Sequence, residues 1–236
     1  MKDLQASIDA ANRSKICARN YSDKPVPDEL IDHLLKITCG GPYKQGRRYF
    51  DVYAITDPAK CKEIWNPHTA RPDEQARLDS TARKNKDGTP TTFIGNAQVL
   101  APVLFVFMRC EPTPEYPKEE MWNPTDNDKA AESRQNGHFA VGTAMGMLVF
   151  EANRQGLHTG NCLCFENEPV TELMQKWTGR TVNLGTANLI VGAGYPQEKW
   201  GDTDTETQMR EHPIVVDHSY HTETILRDDP KYYRIT

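Results

Sequence analysis

Several absences narrow what this chain can be. No apolar run approaches the roughly 20 residues needed to cross a bilayer, so no membrane role is expected. The opening Met1-Lys2-Asp3-Leu4-Gln5-Ala6 lacks the apolar core of a secretory signal, and the expected location is the cytoplasm. A basic excess is missing too: 28 Lys and Arg stand against 33 Asp and Glu, a formal net charge of -5. A face that grips a phosphate backbone usually shows as a basic excess, so nucleic acid is not an expected partner. There is no Gly-x-Gly-x-x-Gly opening a helix after a strand, hence no pyrophosphate cradle. Neither a catalytic triad nor a carboxylate pair is recognisable. The six cysteines (17, 39, 61, 110, 162, 164) are scattered through a chain too large to need disulfide staples. Cys162-Leu163-Cys164 is spaced too closely for a usual zinc site, and the cysteines read as reduced, mostly buried thiols.

What is present reads as one mixed α and β domain over residues 1–236, with no internal repeat, low-complexity segment or linker. Hydrophobic residues make up 37% of the chain, low for a compact monomer and in keeping with long polar excursions. Val26-Pro27-Asp28-Glu29 opens a helix whose Leu30, Ile31, Leu34 and Leu35 form an apolar stripe, and Gly40-Gly41-Pro42 stops it. Phe50 to Ile55 reads as a strand, and a short helix follows Asp57-Pro58 as far as Trp65. Val99 to Met108 is a continuous apolar run of strand length, so a buried central strand. Residues 111–127 form a proline- and acid-rich excursion carrying Tyr116, Met121 and Trp122. A long helix is expected from Phe139 to Asn153, with Gly137, Gly142 and Gly146 marking close approach of another helix or a ligand. A short helix is expected over Thr171 to Trp177 and a buried strand over Ala187 to Ala193. The polar tail from His212 has no obvious core of its own.

Three segments carry the chemistry. The first is the basic run Arg13-Ser14-Lys15-Ile16-Cys17-Ala18-Arg19-Asn20-Tyr21-Ser22-Asp23-Lys24-Pro25. The second is Gly156-Leu157-His158-Thr159-Gly160-Asn161-Cys162-Leu163-Cys164-Phe165, a helix end followed by an extended stretch that turns the backbone to lie beside a flat ligand. The third is Ala187-Asn188-Leu189-Ile190-Val191-Gly192-Ala193-Gly194-Tyr195-Pro196. Read without company, the first is also what a solvated basic helix end looks like. In this order and at these separations, from about Ser14 to Val216, the three resemble the signature of the nitroreductase family of FMN-dependent oxidoreductases.

That resemblance implies an α+β fold, an antiparallel-dominated sheet flanked by helices, in an intertwined homodimer whose tail from about residue 212 packs on the partner subunit. It also implies FMN as cofactor and NADH or NADPH as electron donor. For the phosphate it points to Lys15 and Arg210, with Gln208 where the family often has a second cation. Ile16 and Cys17 fall beside them, Cys17 in place of the family's small hydroxyl residue. Arg19 falls at the pyrimidine edge, where the reduced ring carries negative charge, and Asn96 at the pyrimidine or ribityl region. Leu163, Cys164 and Phe165 would offer main-chain donors near the reactive nitrogen. The loop Pro42, Tyr43, Lys44 and Gly46, reaching across from the partner, would meet the dimethylbenzene side.

The same loop departs from the family pattern. Lys44, Arg47 and Arg48 place three cations in five residues, which reads either as an anion-binding lip or as a solvated loop. With Tyr116 and Trp122 these are the substrate-binding candidates. No catalytic side chain is expected, because the flavin carries the chemistry. The implied activity is ping-pong hydride transfer from NAD(P)H to a nitroaromatic, quinone or related small acceptor. The alternatives are an oxidase or dehalogenase acting on a dedicated metabolite, and a non-catalytic flavin-binding protein.

Overall fold

A computed structural model describes residues 2–15, 17–18, 21–42, 49–69, 97–110, 126–163, 165–180 and 186–196. Its frame is a four-stranded sheet built from β1 (Phe50–Ile55), β2 (Val103–Arg109), β3 (His158–Cys162) and β4 (Thr186–Gly194). The spatial order is β1-β2-β4-β3 with every pair antiparallel. The expected antiparallel α+β architecture is therefore the one found. β2 and β4 lie inside the sheet, which explains the apolar runs at 103–108 and 189–193: both faces are covered, so both sets of alternating side chains must be apolar there.

The alternation sorts those side chains into two layers. Val103, Phe105, Phe107, Leu189, Val191 and Ala193 face one side. There they meet α2 (Asp28–Cys39) through Ile31 and Leu34, and α4 (Asp126–Arg154) through Ala140, Val141, Ala144, Leu148 and Ala152. Leu104, Val106, Met108, Ala187 and Ile190 face the other side. They pack on Cys61 and Ile64 of α3 (Pro58–Thr69) and on Val170 and Met174 of α5 (Asn167–Thr178). Each fully buried Leu, Ile or Phe in these layers contributes roughly 1.5–3 kcal/mol of burial. A register shift between Phe107 and Met108 keeps Leu189 and Ala187 on opposite layers despite their spacing of two.

Three elements differ from the sequence expectation. The run Val99 to Met108 is not one strand: Ala97–Leu100 is a 3-10 turn, and β2 begins only at Val103. Pro102, which has no N–H for a ladder, marks the break. The long helix begins at Asp126 rather than Phe139, so the last two positions of the supposed excursion 111–127 are helical. Its first turns, Asp126 to Gly137, carry helix formers and acids but no apolar stripe, so periodicity could not reveal them. A further helix, α1 (Lys2–Arg13), had no expectation attached; it packs on α4 and buries Ala10. The remaining elements match within a few residues, and Gly40 closes α2 with its N–H on the Ile37 carbonyl.

An ionic latch ties α2 to α4. Arg154 donates Nε to Glu151 Oε2 at 2.7 Å and Nη2 to Oε1 at 2.8 Å. Gln155 Nε2 donates to Oε1 at 2.8 Å, and His33 Nε2 on α2 lies 2.7 Å from the same oxygen. The Arg154 hydrogen bond chiefly, with Gln155 and His33 behind it, outweighs burial and holds the Glu151 carboxyl at about 2.

Candidate active site

The site grows from the end of α4. Gly156 takes φ of 84°, a left-handed turn that suits glycine, and the chain reverses through Leu157 into β3. Buried Asn153 fixes the reversal: its Nδ2 donates to the Val149 carbonyl at 2.8 Å and to Thr159 Oγ1 at 3.1 Å. Arg13, at the end of α1, donates Nη2 to the Asn153 carbonyl at 2.9 Å. One cation of the basic run is thus engaged in closing the C-terminus of α4. Burial first, then the Arg13 charge, holds neighbouring His158 below the ordinary histidine value.

Among the described residues β3 is an edge strand, and the N-terminal run covers it. The Ala18 N–H donates to the Thr159 carbonyl at 2.8 Å, the Cys17 thiol to the Asn161 carbonyl at 3.6 Å, and the Ser22 N–H to the Tyr195 carbonyl at 2.9 Å. The Tyr21 hydroxyl donates towards the Ala18 and Gly192 carbonyls at 3.1 and 3.4 Å. This crossing requires bare backbone. Gly160 and Gly192 are cross-strand partners. A Cβ at Gly160 would collide with the Ala18 carbonyl and reach within 2.9 Å of the Tyr21 hydroxyl. One at Gly192 would strike the Gln98 carbonyl and lie 2.9 Å from the Ala101 Cβ.

Over the same glycines lies the 3-10 turn, with Gln98 buried at 4% exposure. Gln98 Nε2 is 3.4 Å from the Asn161 carbonyl. Gln98 Oε1 and Asn161 Oδ1 are both buried without a hydrogen-bond partner. Such oxygens are few in native folds and are usually met by water or a ligand.

Of the sequence candidates, the structure places Cys17 against β3, Lys15 just past α1 and Leu163 at the β3 exit. Lys15 is exposed just past α1, its N–H on the Asn12 carbonyl at 3.3 Å. Cys17 is half-buried with its thiol on β3. Leu163 leaves β3 at 70% exposure, while Phe165 is buried in the second layer. Pro42 is exposed beyond α2. Ile16, Arg19, Tyr43, Lys44, Gly46, Arg47, Arg48, Asn96, Tyr116, Trp122, Cys164, Gln208 and Arg210 lie outside the described residues. Sequence reasoning missed Gln98 and Asn161. The signal for Gln98 was present, a second amide two positions after Asn96, but only the 3-10 turn shows that this one is buried.

The sequence model of the nitroreductase family matches residues 11–195. The chain belongs to the nitroreductase family. Membership makes this protein an NAD(P)H-dependent oxidoreductase built around FMN. Solved structures of similar fold include a BluB-like flavoprotein from Clostridium difficile, at TM-score 0.61 and 16% identity, covering 86% of this chain and 94% of that one. An NADPH:FMN oxidoreductase from Vibrio harveyi complexed with NAD+ aligns at TM-score 0.56 and 14% identity, over 82% and 70% of the two chains. Nitroreductase A from Vibrio parahaemolyticus aligns at TM-score 0.54 and 13% identity, over 82% and 68%. No curated protein matches the chain. Two described features suit the cofactor: Lys15, an exposed cation just past α1, and Leu163, 70% exposed at the exit of β3. Among the described residues no helix is long and apolar enough to cross a membrane.

Proposed function

We propose that this protein reduces a small nitroaromatic, quinone or related acceptor, admitting NAD(P)H and the acceptor in turn at one face of the flavin. The observation that carries the reading is the family match over residues 11–195, with the N-terminal run laid across β3 at Gly160. FMN supplies the two-electron chemistry when bound. Lys15 and Arg210 would neutralise its phosphate, with Ile16, Cys17 and Gln208 alongside, and Arg19 would sit at the pyrimidine edge near Asn96. The peptides of Leu163, Cys164 and Phe165 would supply donors beside the ring, and exposed Leu163 would shed water from its open face. Lys44, Arg47 and Arg48, with Tyr116 and Trp122, would choose the acceptor or the nicotinamide by charge and shape.

The unit of function in this reading is a homodimer of single-domain chains. On α4, Phe139 is 62% exposed, and Gly142 and Gly146 follow on the same side with nothing within 4 Å of a Cβ at either. A helix face so bare lets another backbone come close; the loop at 42–48 would reach the other subunit's flavin, and the tail from 212 would pack on that subunit. The test is spectroscopic. The purified protein should be yellow, release FMN rather than FAD on heating, bleach anaerobically with NADH or NADPH, and regain colour with a quinone. A colourless protein, or one whose colour resists both nicotinamides, overturns the reading.

A further inference from the structure

The short segment from Ala18 to Tyr21 is clamped at both ends. At the first, both peptide groups of Ala18 are engaged: its N–H donates to the Thr159 carbonyl at 2.8 Å, and its carbonyl accepts the Tyr21 hydroxyl at 3.1 Å. At the second, Tyr21 makes an antiparallel bridge to Pro196, and the Ser22 N–H donates to the Tyr195 carbonyl at 2.9 Å. Lys24 then sets its ammonium 3.9 Å over the Tyr195 ring. In sequence only Arg19 and Asn20 lie between the clamps. The Tyr21 ring has its own bed, since a Cβ at Gly194 would come within 2.9 Å of its Cδ1. Ring and hydroxyl therefore do different things. The ring packs on the sheet, as Phe would. The hydroxyl ties the carbonyl of buried Ala18, and so fixes the plane of the peptide through which the chain leaves that residue.

We infer that the Tyr21 hydroxyl is a positioning group: by holding the Ala18 carbonyl, it directs Arg19 to the flavin's pyrimidine edge. This rests on the placing of Arg19 in the functional reading above. Hydride transfer, NAD(P)H plus FMN giving NAD(P)+ plus FMNH−, leaves a negative charge at that edge. An arginine aimed there attracts the anionic reduced ring more strongly than the neutral oxidised one, and that difference raises the potential of the bound flavin. The attraction falls with distance, and arginine's planar fork needs aim as well as charge. A swivelled peptide at Ala18 would weaken both. Loss of the hydroxyl is thus felt as a change of redox poise more than as a loss of fold, and Tyr21 acts through Arg19.

The test is Tyr21→Phe in the holoprotein, alone and combined with Arg19→Ala, with the midpoint potential read by spectroelectrochemical titration. Tyr21→Phe should weaken reduced FMN about tenfold more than oxidised FMN, lowering the two-electron midpoint by about 30 mV. In the Arg19→Ala background the same substitution should leave the potential where Arg19→Ala alone puts it. An unmoved potential in Tyr21→Phe, or a full shift that persists without Arg19, overturns the inference and leaves the FMN reading standing. So does equal weakening of both redox forms, the mark of a hydroxyl that only braces the fold. A second variant carries 4-aminophenylalanine at position 21, which returns an N–H donor to the end of the ring. Its potential should stay near the wild-type value, and a fall of about 30 mV there overturns the inference too. If Arg19→Ala leaves the potential unmoved, the placing of Arg19 fails and the inference with it. A wild-type protein that takes up no FMN removes every reading together.

Discussion

A methyl group added at Gly160 would meet the Ala18 carbonyl, the Gln98 Cβ and the Tyr21 hydroxyl together, and two of those are fixed by their own backbone. Gly160→Ala should therefore cost about 1–3 kcal/mol of stability and loosen the N-terminal run from β3, with FMN retention falling alongside. Thermal melts with and without added FMN check this. Gly142→Ala is the contrasting case, because nothing lies within 4 Å of its Cβ, and helix propensity alone should add about 0.5–1 kcal/mol to the subunit. Thiol chemistry is legible at the same scale. Burial, with Asp57 adding to it, pushes the Cys61 thiol up to about 12, so the nucleophilic thiolate is scarce at ordinary pH. Iodoacetamide at pH 8 should leave Cys61 unmodified in the folded protein, and mass spectrometry showing alkylation there would contradict the account.

Between elements, the Glu151 latch gives α2 and α4 a dependence on pH. In the fold this carboxyl holds its charge down to about 2, whereas in the unfolded chain it takes a proton near 4.5. The latch is therefore whole above pH 4.5 and is lost as pH falls from there through about 2. Arg154 and His33 are close to half exposed, so water screens part of the gain, and the loss should be about 1–2 kcal/mol. Glu151→Gln should flatten that part of the acid-denaturation curve, measured by urea midpoints between pH 5 and 2.5; a parallel slope in the variant would remove Glu151 as its cause. Legibility from sequence followed the same physics. Strands β2 and β4, buried on both faces, announced themselves as apolar runs, and α2 did so through its stripe. The first turns of α4 and the whole of α1 did not: the former carry no apolar stripe, and α1 is held by packing on α4. At the site, the motifs singled out Lys15, Cys17 and the β3 exit. They could not single out Asn161 or Gln98, because an unmet hydrogen bond is a property of three dimensions.

Across the whole molecule, the bare side of α4 is where the dimer proposal is most exposed to experiment. Gly146→Leu fills open space in one subunit, so the fold should survive while a close helix contact would not. Light scattering should move from twice the 26.8 kDa chain mass towards that mass itself, with bound FMN lost in parallel. A dimer of unchanged mass and flavin content would place the interface elsewhere. The covered edge of β3 has a different consequence, one of timing. Cys17 and Asn161 are 144 residues apart in sequence, and Arg13 and Asn153 are 140 apart. The N-terminal run must therefore wait for the whole of the intervening chain before its docking strand exists. Closing so long a loop is entropically dear and is repaid by only a few hydrogen bonds, whereas β2 and β4 zip along a full ladder. The N-terminal run should dock late in folding and open early in unfolding. In pulsed hydrogen exchange the Ala18 amide should gain protection after those of Phe105 and Val191, and protection arriving together would mean that the edge and the core form as one unit.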